Sequence, residues 1–467
     1  MPFTTTSFIF LFLPLSILLY YIFSLTKKEL LVKTYLVLIS SIFYMYSGIT
    51  MYLYLFIFIN IIYLMGKIIE KRKSLGKLIL FLSFIILILS YYKYSLYIYK
   101  FVETLDFVNI TFSSIVVPLG VSFIAFESVS YLVDIYRKDA PSGNYLNTLL
   151  FFLFFPKVVS GPIVLWKDFN VQLYNRKTSL NLSFSGVERI MIGFVKKCII
   201  ADTLGGTVLK INENAFSTGI DSYTAILGML LYFIQIYYDF SGYSDIAIGI
   251  SRIFGFDFKE NFNYPYTSTM LSEFWRRWHI SLGTWFRNYI YIPLGGNRKN
   301  IYLNLFIVFF ITGIWHGSTI NYVLWGTMHA IFIILEKYSS NFSWYKNIPK
   351  FLKWFIVNLF VMLTWVVFML PELWQVKVYY LSILGLVSGT PYFSYEYFFT
   401  TKIILLTLIA LIGALIGKLN IVQKLLIFTK ENNVGLIIKF VVYLILFILS
   451  VMFMINSSYS PFLYFQF

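Results

Sequence analysis

Long apolar runs alternate with short basic loops along the whole chain. The runs fall near residues 7–26, 34–48, 50–66, 78–99, 111–133, 146–166, 186–200, 220–250, 301–335, 351–370, 402–418 and 436–456. A helix that crosses a bilayer needs about 20 predominantly apolar residues. Several runs reach that length, and others are short or interrupted. The pattern predicts an all-α polytopic membrane protein with about 10–12 transmembrane helices, built as a single membrane domain over residues 1–467. Ser7–Leu25 has no basic segment before it and no small-residue cleavage site after it, so a retained first helix is expected there rather than a signal peptide.

One stretch departs from the pattern. Residues 252–300 hold Arg252, Lys259, Arg276, Arg277, Arg287, Arg298 and Lys299 against Asp257, Glu260 and Glu273, a net charge of +4. Pro265 and Pro293 interrupt any continuous helix. The stretch is too polar to span and too aromatic for a plain loop. Re-entrant and interfacial helices are expected here, on the cytoplasmic face, around a central funnel. Backbone breaks at membrane depth are tolerated only inside protein or along a cavity.

Basic loops set the orientation. Lys27, Lys28 and Lys33 follow the first run, and Lys67, Lys71, Arg72, Lys73 and Lys77 follow the third. Both loops are expected to be cytoplasmic, with the N-terminus outside. Lys418, Lys424, Lys430 and Lys439 mark the cytoplasmic side of the last run, and the uncharged tail 456–467 is then expected outside.

Composition excludes several classes. The chain is 59% hydrophobic and 12% charged, which leaves no large soluble domain and no soluble module for nucleic acid. The net charge of +16 suits loops against anionic lipid or a phosphorylated ligand. The single cysteine, Cys198, allows no intrachain disulfide and is expected to be a buried filler. There are 28 Lys and 9 Arg, a skew that suggests an AT-rich genome. Three scattered histidines and no cysteine cluster argue against a bound metal.

Those histidines are His279, His316 and His329. Ionisable groups within membrane helices are costly and mark function by default. His316 follows the apolar run 301–311 in Thr312-Gly313-Ile314-Trp315-His316-Gly317-Ser318. An imidazole there is a candidate general base, with packing against a neighbouring helix as the alternative. His279 lies in Trp275-Arg276-Arg277-Trp278-His279-Ile280-Ser281, either as a second polar partner in the chemistry or as an interfacial anchor. His329 is expected to be a packed histidine. Asp239 and Asp245, six apart in Tyr238–Asp245, could orient a histidine or pair with an arginine, and Gly242 is expected to break the helix between them. Lys157 sits between Pro156 and Pro162, either in a cavity at a broken helix or snorkelling from a helix end. Glu127 adds a carboxylate within an apolar run.

Together these segments resemble the membrane-bound O-acyltransferase family, in its bacterial polysaccharide-modifying branch. The resemblance runs nearly end to end. It covers Pro118–Phe123, Tyr131–Arg137, Phe155–Pro162, Tyr238–Asp245, Asn263–Tyr266, Phe274–Ser281, Tyr291–Asn297 and Gly313–Gly317. It implies that His316 is the family's catalytic histidine and that His279 is its second polar position. A departure is Glu127, where glutamine is usual. The tail Phe462-Leu463-Tyr464-Phe465 resembles the end of a small partner in teichoic acid D-alanylation, which makes Tyr464 a candidate acyl carrier.

The resemblance also implies a reaction. Acetyl-CoA is the expected acyl donor, with no metal, and its phosphates are expected on Arg276, Arg277, Arg287 and Arg298. The acetyl group would pass His316 and leave on Tyr464 or on a partner's hydroxyl. A separate extracytoplasmic O-acetyltransferase would complete transfer to a polysaccharide, with peptidoglycan expected ahead of alginate. The location is then a bacterial inner membrane, with membrane lipids as surroundings. Two other classes stay open on the residues alone: a transporter or flippase without acyl transfer, and a polyprenyl-phosphate glycosyltransferase.

Overall fold

Helices account for nearly every apolar run, because a backbone in hydrocarbon must satisfy its hydrogen bonds within the segment. The computed structural model describes residues 2–103, 117–158, 161–176, 178–387, 392–416 and 433–457. The element order begins with a π-helical turn, Phe8–Phe12, running into α1 (Leu13–Leu25). It continues with α2 (Glu29–Met45), α3 (Ile49–Lys71), α4 (Leu75–Glu103), α5 (Val121–Arg137), α6 (Tyr145–Leu153), α7 (Trp166–Tyr174), α8 (Leu180–Phe194), α9 (Asp202–Ser217) and α10 (Ser222–Ile253). The short helices α11 (Leu271–Arg277) and α12 (Ile280–Phe286) follow. The chain ends with α13 (Ile301–His316), α14 (Ile320–Ser339), α15 (Lys350–Met369), α16 (Leu373–Ile383), α17 (Thr401–Ile416) and α18 (Asn433–Asn456).

Six described helices are long and apolar enough to cross a membrane, and α13 and α17 are shorter apolar helices. Ten to twelve crossings are expected from the runs. Other runs fold as shorter or broken pieces among the described residues. Run 146–166 is one such case: α6 stops at Leu153, and Phe155–Val158 forms a single turn. The Phe155 amide donates to Ser40 Oγ at 3.2 Å instead of continuing the helix.

Contacts divide the chain into two compact units. One comprises Met1–Val187 with Ala247–Lys259, and the other Glu188–Ile246 with Glu260–Phe467. In the first unit, Phe8, Phe43 and Phe155 form a buried aromatic centre. Tyr44 donates to the Leu119 carbonyl at 2.6 Å. Lys157 is fully buried there, and its Nζ lies 2.5 Å from Glu127 Oε1. It also stands 4.4 Å over the Phe151 ring. Lys157 therefore does not snorkel. The added carboxylate of Glu127 is its counter-charge.

The most apolar sequences are not the core. The spanning window of α18 is 6% buried although it is the most hydrophobic, whereas that of α10 is 89% buried. Lipid tolerates the first, and the protein needs polar groups on the second. Gly242 does not break α10, contrary to expectation. It serves a helix crossing instead: a Cβ on Gly193 of α8 would meet the Gly242 carbonyl at 2.6 Å.

Candidate functional site

All of the site lies in the second unit. His316 is the last residue of α13, and Gly317 takes the chain out in extended backbone. The ring is 4% exposed. Trp325 and Phe368 meet it edge-on at 5.2 and 5.0 Å, and Trp315 lies 4.6 Å away.

Glycines make that placement possible by bringing α14 onto α13. A Cβ on Gly326 would lie 2.4 Å from the Phe309 carbonyl and 3.0 Å from Gly313 Cα. One on Gly313 would lie 2.5 Å from the Tyr322 carbonyl. The glycines beside His316 thus admit the backbone and ring of the next helix. Asn321 then ties the start of α14 to the end of α15, donating to the Leu370 carbonyl at 2.6 Å. Gly326→Ala is expected to lower stability by about 1–3 kcal/mol through overpacking. Thermal unfolding in detergent measures it, and an unchanged Tm would refute the close-crossing argument.

The same aromatic cluster reaches the polar stretch. Trp365 stacks near Trp325 at 5.7 Å and meets Trp278 at 5.1 Å. Trp278 directly precedes His279 in sequence, so His316 and the α11–α12 segment share one packed cluster. His329 belongs to it as well, but as a packed group. It accepts from Trp275 Nε1 at 3.2 Å and bonds Thr364 Oγ1 at 3.0 Å.

His279 is buried and sits in the left-handed region, with φ 45°, at the start of α12. It is no interfacial anchor. Its Nδ1 lies 3.1 Å from Asn261 Oδ1. The Asn261 amide is oriented from both sides. Its Nδ2 donates to Ser244 Oγ at 3.0 Å, while its Oδ1 accepts from the Ser281 amide at 3.2 Å and the Ser281 hydroxyl at 2.9 Å. With Oδ1 facing the imidazole, Nδ1 carries the hydrogen and donates, which leaves Nε2 as the basic nitrogen.

Burial pushes the His279 pKa down to about 3. In an unfolded chain it titrates near 6.5. Between those values the unfolded chain binds a proton that the folded chain refuses. Stability is therefore expected to fall as pH drops below about 6.5, and His279 contributes no slope above it. His279→Gln should flatten the Tm-against-pH curve in that window. An unaltered curve would count against a buried neutral imidazole.

The basic residues divide by accessibility. Arg277 is held by Glu273, with Nε and Nη2 at 3.0 and 2.8 Å from Oε1, and by the Asn263 carbonyl at 3.2 Å. Arg276, Arg287 and Arg298 are exposed and form no ion pair among the described residues. These three are the better placed for an anionic ligand. Tyr464 lies outside the described residues.

The carboxylates of α10 hold cations rather than histidines. Asp245 pairs with Arg189 and Lys196, each at 2.7 Å, and Arg189 also holds Glu260. Asp239 and Asp202 both hold Lys197, each at 2.6 Å, and all three are buried. Lys197 reaches both from a π-helical turn, Val195–Ala201. Cys198 in that turn is buried and free of any disulfide.

Residues 74–382 match the profile of MBOAT, the membrane-bound O-acyltransferase family. The chain is 33% identical to the probable alginate O-acetylase AlgI of Pseudomonas putida over the full length of both. The chain belongs to the membrane-bound O-acyltransferase family. It is a multi-pass membrane O-acyltransferase, which answers the transporter and glycosyltransferase alternatives. It is also 32% identical to the peptidoglycan O-acetyltransferase of Helicobacter pylori, over 78% of this chain and 76% of that one. A teichoic acid D-alanyltransferase of Bacillus subtilis is 31% identical over 48% of this chain and 61% of its own.

Several residues of the candidate site carried no clear signal in the sequence. Asn261 stands in a run of polar and aromatic residues with no spacing to single it out. Trp325, Trp365 and Phe368 looked like ordinary membrane aromatics. Lys197 was hidden inside an apolar run, although a lysine there is itself a signal of pairing.

Proposed function

We propose that this O-acyltransferase moves an acetyl group from cytoplasmic acetyl-CoA across the membrane for O-acetylation of an extracytoplasmic polysaccharide. The observation that supports it best is His316, buried at a helix end in an aromatic cluster shared with the basic α11–α12 segment. A group enclosed this way can act as a base on a hydroxyl while bulk water stays out.

In this reading the exposed Arg276, Arg287 and Arg298 attract the phosphates of the donor at the cytoplasmic face. Arg277, held by Glu273, shapes that surface. His279, neutral and oriented by Asn261, has Nε2 as its basic nitrogen. His316 takes the hydroxyl proton as the oxygen attacks the thioester carbonyl. The carbon–sulfur bond breaks, and the leaving thiolate takes the proton from the His316 imidazolium, which returns the ring to its neutral form. The attacking hydroxyl is that of Tyr464 or of a partner enzyme.

Peptidoglycan is the proposed final acceptor, through an extracytoplasmic O-acetyltransferase partner in a bacterial inner membrane. The full-length likeness to an alginate O-acetylase supports a second reading, a uronic-acid exopolysaccharide. The test is labelled acetyl-CoA given to the purified protein in nanodiscs, followed by mass spectrometry of the C-terminal peptide. Label on Tyr464 that disappears in His316→Ala supports the relay. Full transfer by Tyr464→Phe overturns the tyrosine role. Muropeptides or oligouronates added with the partner then separate the two acceptors.

A further inference from the structure

The connection from α14 to α15 leads into a helix long and apolar enough to cross a membrane, which puts it at a membrane edge. It carries Lys337, Lys346, Lys350 and Lys353 against Glu336 alone. The carboxylate of Glu336 is already engaged. It accepts the Leu271 amide at 2.7 Å and the Ser272 amide at 3.1 Å, capping the start of α11. The outward charge of the connection is therefore positive.

Aromatic side chains accompany the lysines. Trp344 is 60% exposed, and Tyr338 and Phe342 are exposed as well. Exposed aromatics beside lysines are the composition of a membrane interface, where rings sit at headgroup level. Lys353 stands 4.6 Å over the Tyr345 ring, so one ammonium is held in place.

Beneath these groups is a cavity of about 210 Å³. Phe332, Leu335, Ile356 and Val357 give it apolar walls, and Thr269, Ser339, Lys353 and Glu336, whose carboxylate is turned onto the α11 amides, stand among its polar lining. Apolar depth under ammonium and hydroxyl groups matches one chemistry: a phosphodiester joined to an acyl chain. A free phosphate would use only the lysines. A neutral lipid would use only the walls.

We propose that residues 337–353 and the cavity beneath them bind an anionic phospholipid. Its phosphate lies on Lys346, Lys350 and Lys353, and part of one acyl chain fills the cavity. Basic clusters at the ends of membrane helices attract anionic headgroups in this way. The site touches the catalytic segment at two points, through Glu336 on α11 and through Trp354 Nε1, which donates to the Tyr266 carbonyl at 2.7 Å. A lipid bound here braces the segment that carries His279.

The test uses the full chain in neutral detergent, with thermal unfolding read as phosphatidylglycerol is added. Tm is expected to rise with phosphatidylglycerol and not with phosphatidylcholine. A triple variant, Lys346→Gln with Lys350→Gln and Lys353→Gln, is expected to lose most of that rise. Removing equal charge elsewhere, with Lys71→Gln, Lys73→Gln and Lys77→Gln, is expected to keep it. Ile348→Trp, which fills the cavity and leaves every charge in place, is expected to weaken the response as well. Equal response to phosphatidylcholine, equal loss in both triple variants, or full protection by inorganic phosphate would each overturn the proposal. None of these readouts depends on acetyl transfer.

Discussion

His316→Ala is expected to lower acetyl transfer by about 10²–10⁴-fold, the range a positioned general base contributes. The ring is enclosed by Trp325 and Phe368, so alanine also leaves a hole in the cluster. A loss of activity by that variant alone could come from collapse of the cluster. His316→Gln separates the two causes, because it keeps much of the volume and a polar end but cannot take the proton. Both variants should fail in transfer from labelled acetyl-CoA, while the glutamine variant keeps the Tm and detergent-phase elution of the parent. Full transfer by the glutamine variant would remove His316 from the chemistry.

Lys197→Met is expected to destabilise the protein by about 3–5 kcal/mol, the usual cost of breaking a buried ion pair from one side. Lys197 Nζ is shared by Asp202 and Asp239 at 2.6 Å each, and the three side chains are almost fully buried. Methionine preserves the length and removes the charge that both carboxylates share. The prediction carries its own control. Lys197→Met combined with Asp202→Asn and Asp239→Asn removes all three charges and should recover a large part of the lost stability. Thermal unfolding and expression yield in membranes measure it. If the single variant unfolds like the parent, the triad does not hold α9 and α10 together.

Much of the fold was legible because the bilayer simplifies the problem. A run of apolar residues in lipid has few options beyond a helix, and α3, α4 and α18 follow their runs closely. The polar stretch 252–300 was equally plain, since seven cations and two prolines cannot cross hydrocarbon. His316 stood out for the same reason, as did His279.

Other features hid behind the same hydropathy. Run 146–166 has the composition of a span, yet it breaks at Phe154. Ser40 from α2 satisfies the freed amide, and Glu127 from α5 meets the buried Lys157. Neither partner is near in sequence. Gly242 has the local profile of a helix breaker, and only Gly193 across the crossing shows that it is a packing residue. Hydropathy alone does not separate a broken run from a span, because the two have the same composition.

The division is a physical one. The sequence by itself determined what hydropathy and charge decide locally: helices along the chain, membrane residence, a basic polar stretch, and the histidines that stand out in apolar surroundings. The tertiary structure alone decided which groups meet. It set Trp325 and Phe368 around His316, turned the Asn261 amide so that His279 keeps its hydrogen on Nδ1, and gave Lys197 a second carboxylate from Asp239. Those contacts join residues up to 52 apart and, unlike the pair Glu273–Arg277 one helical turn apart, follow no regular α-helical or strand period.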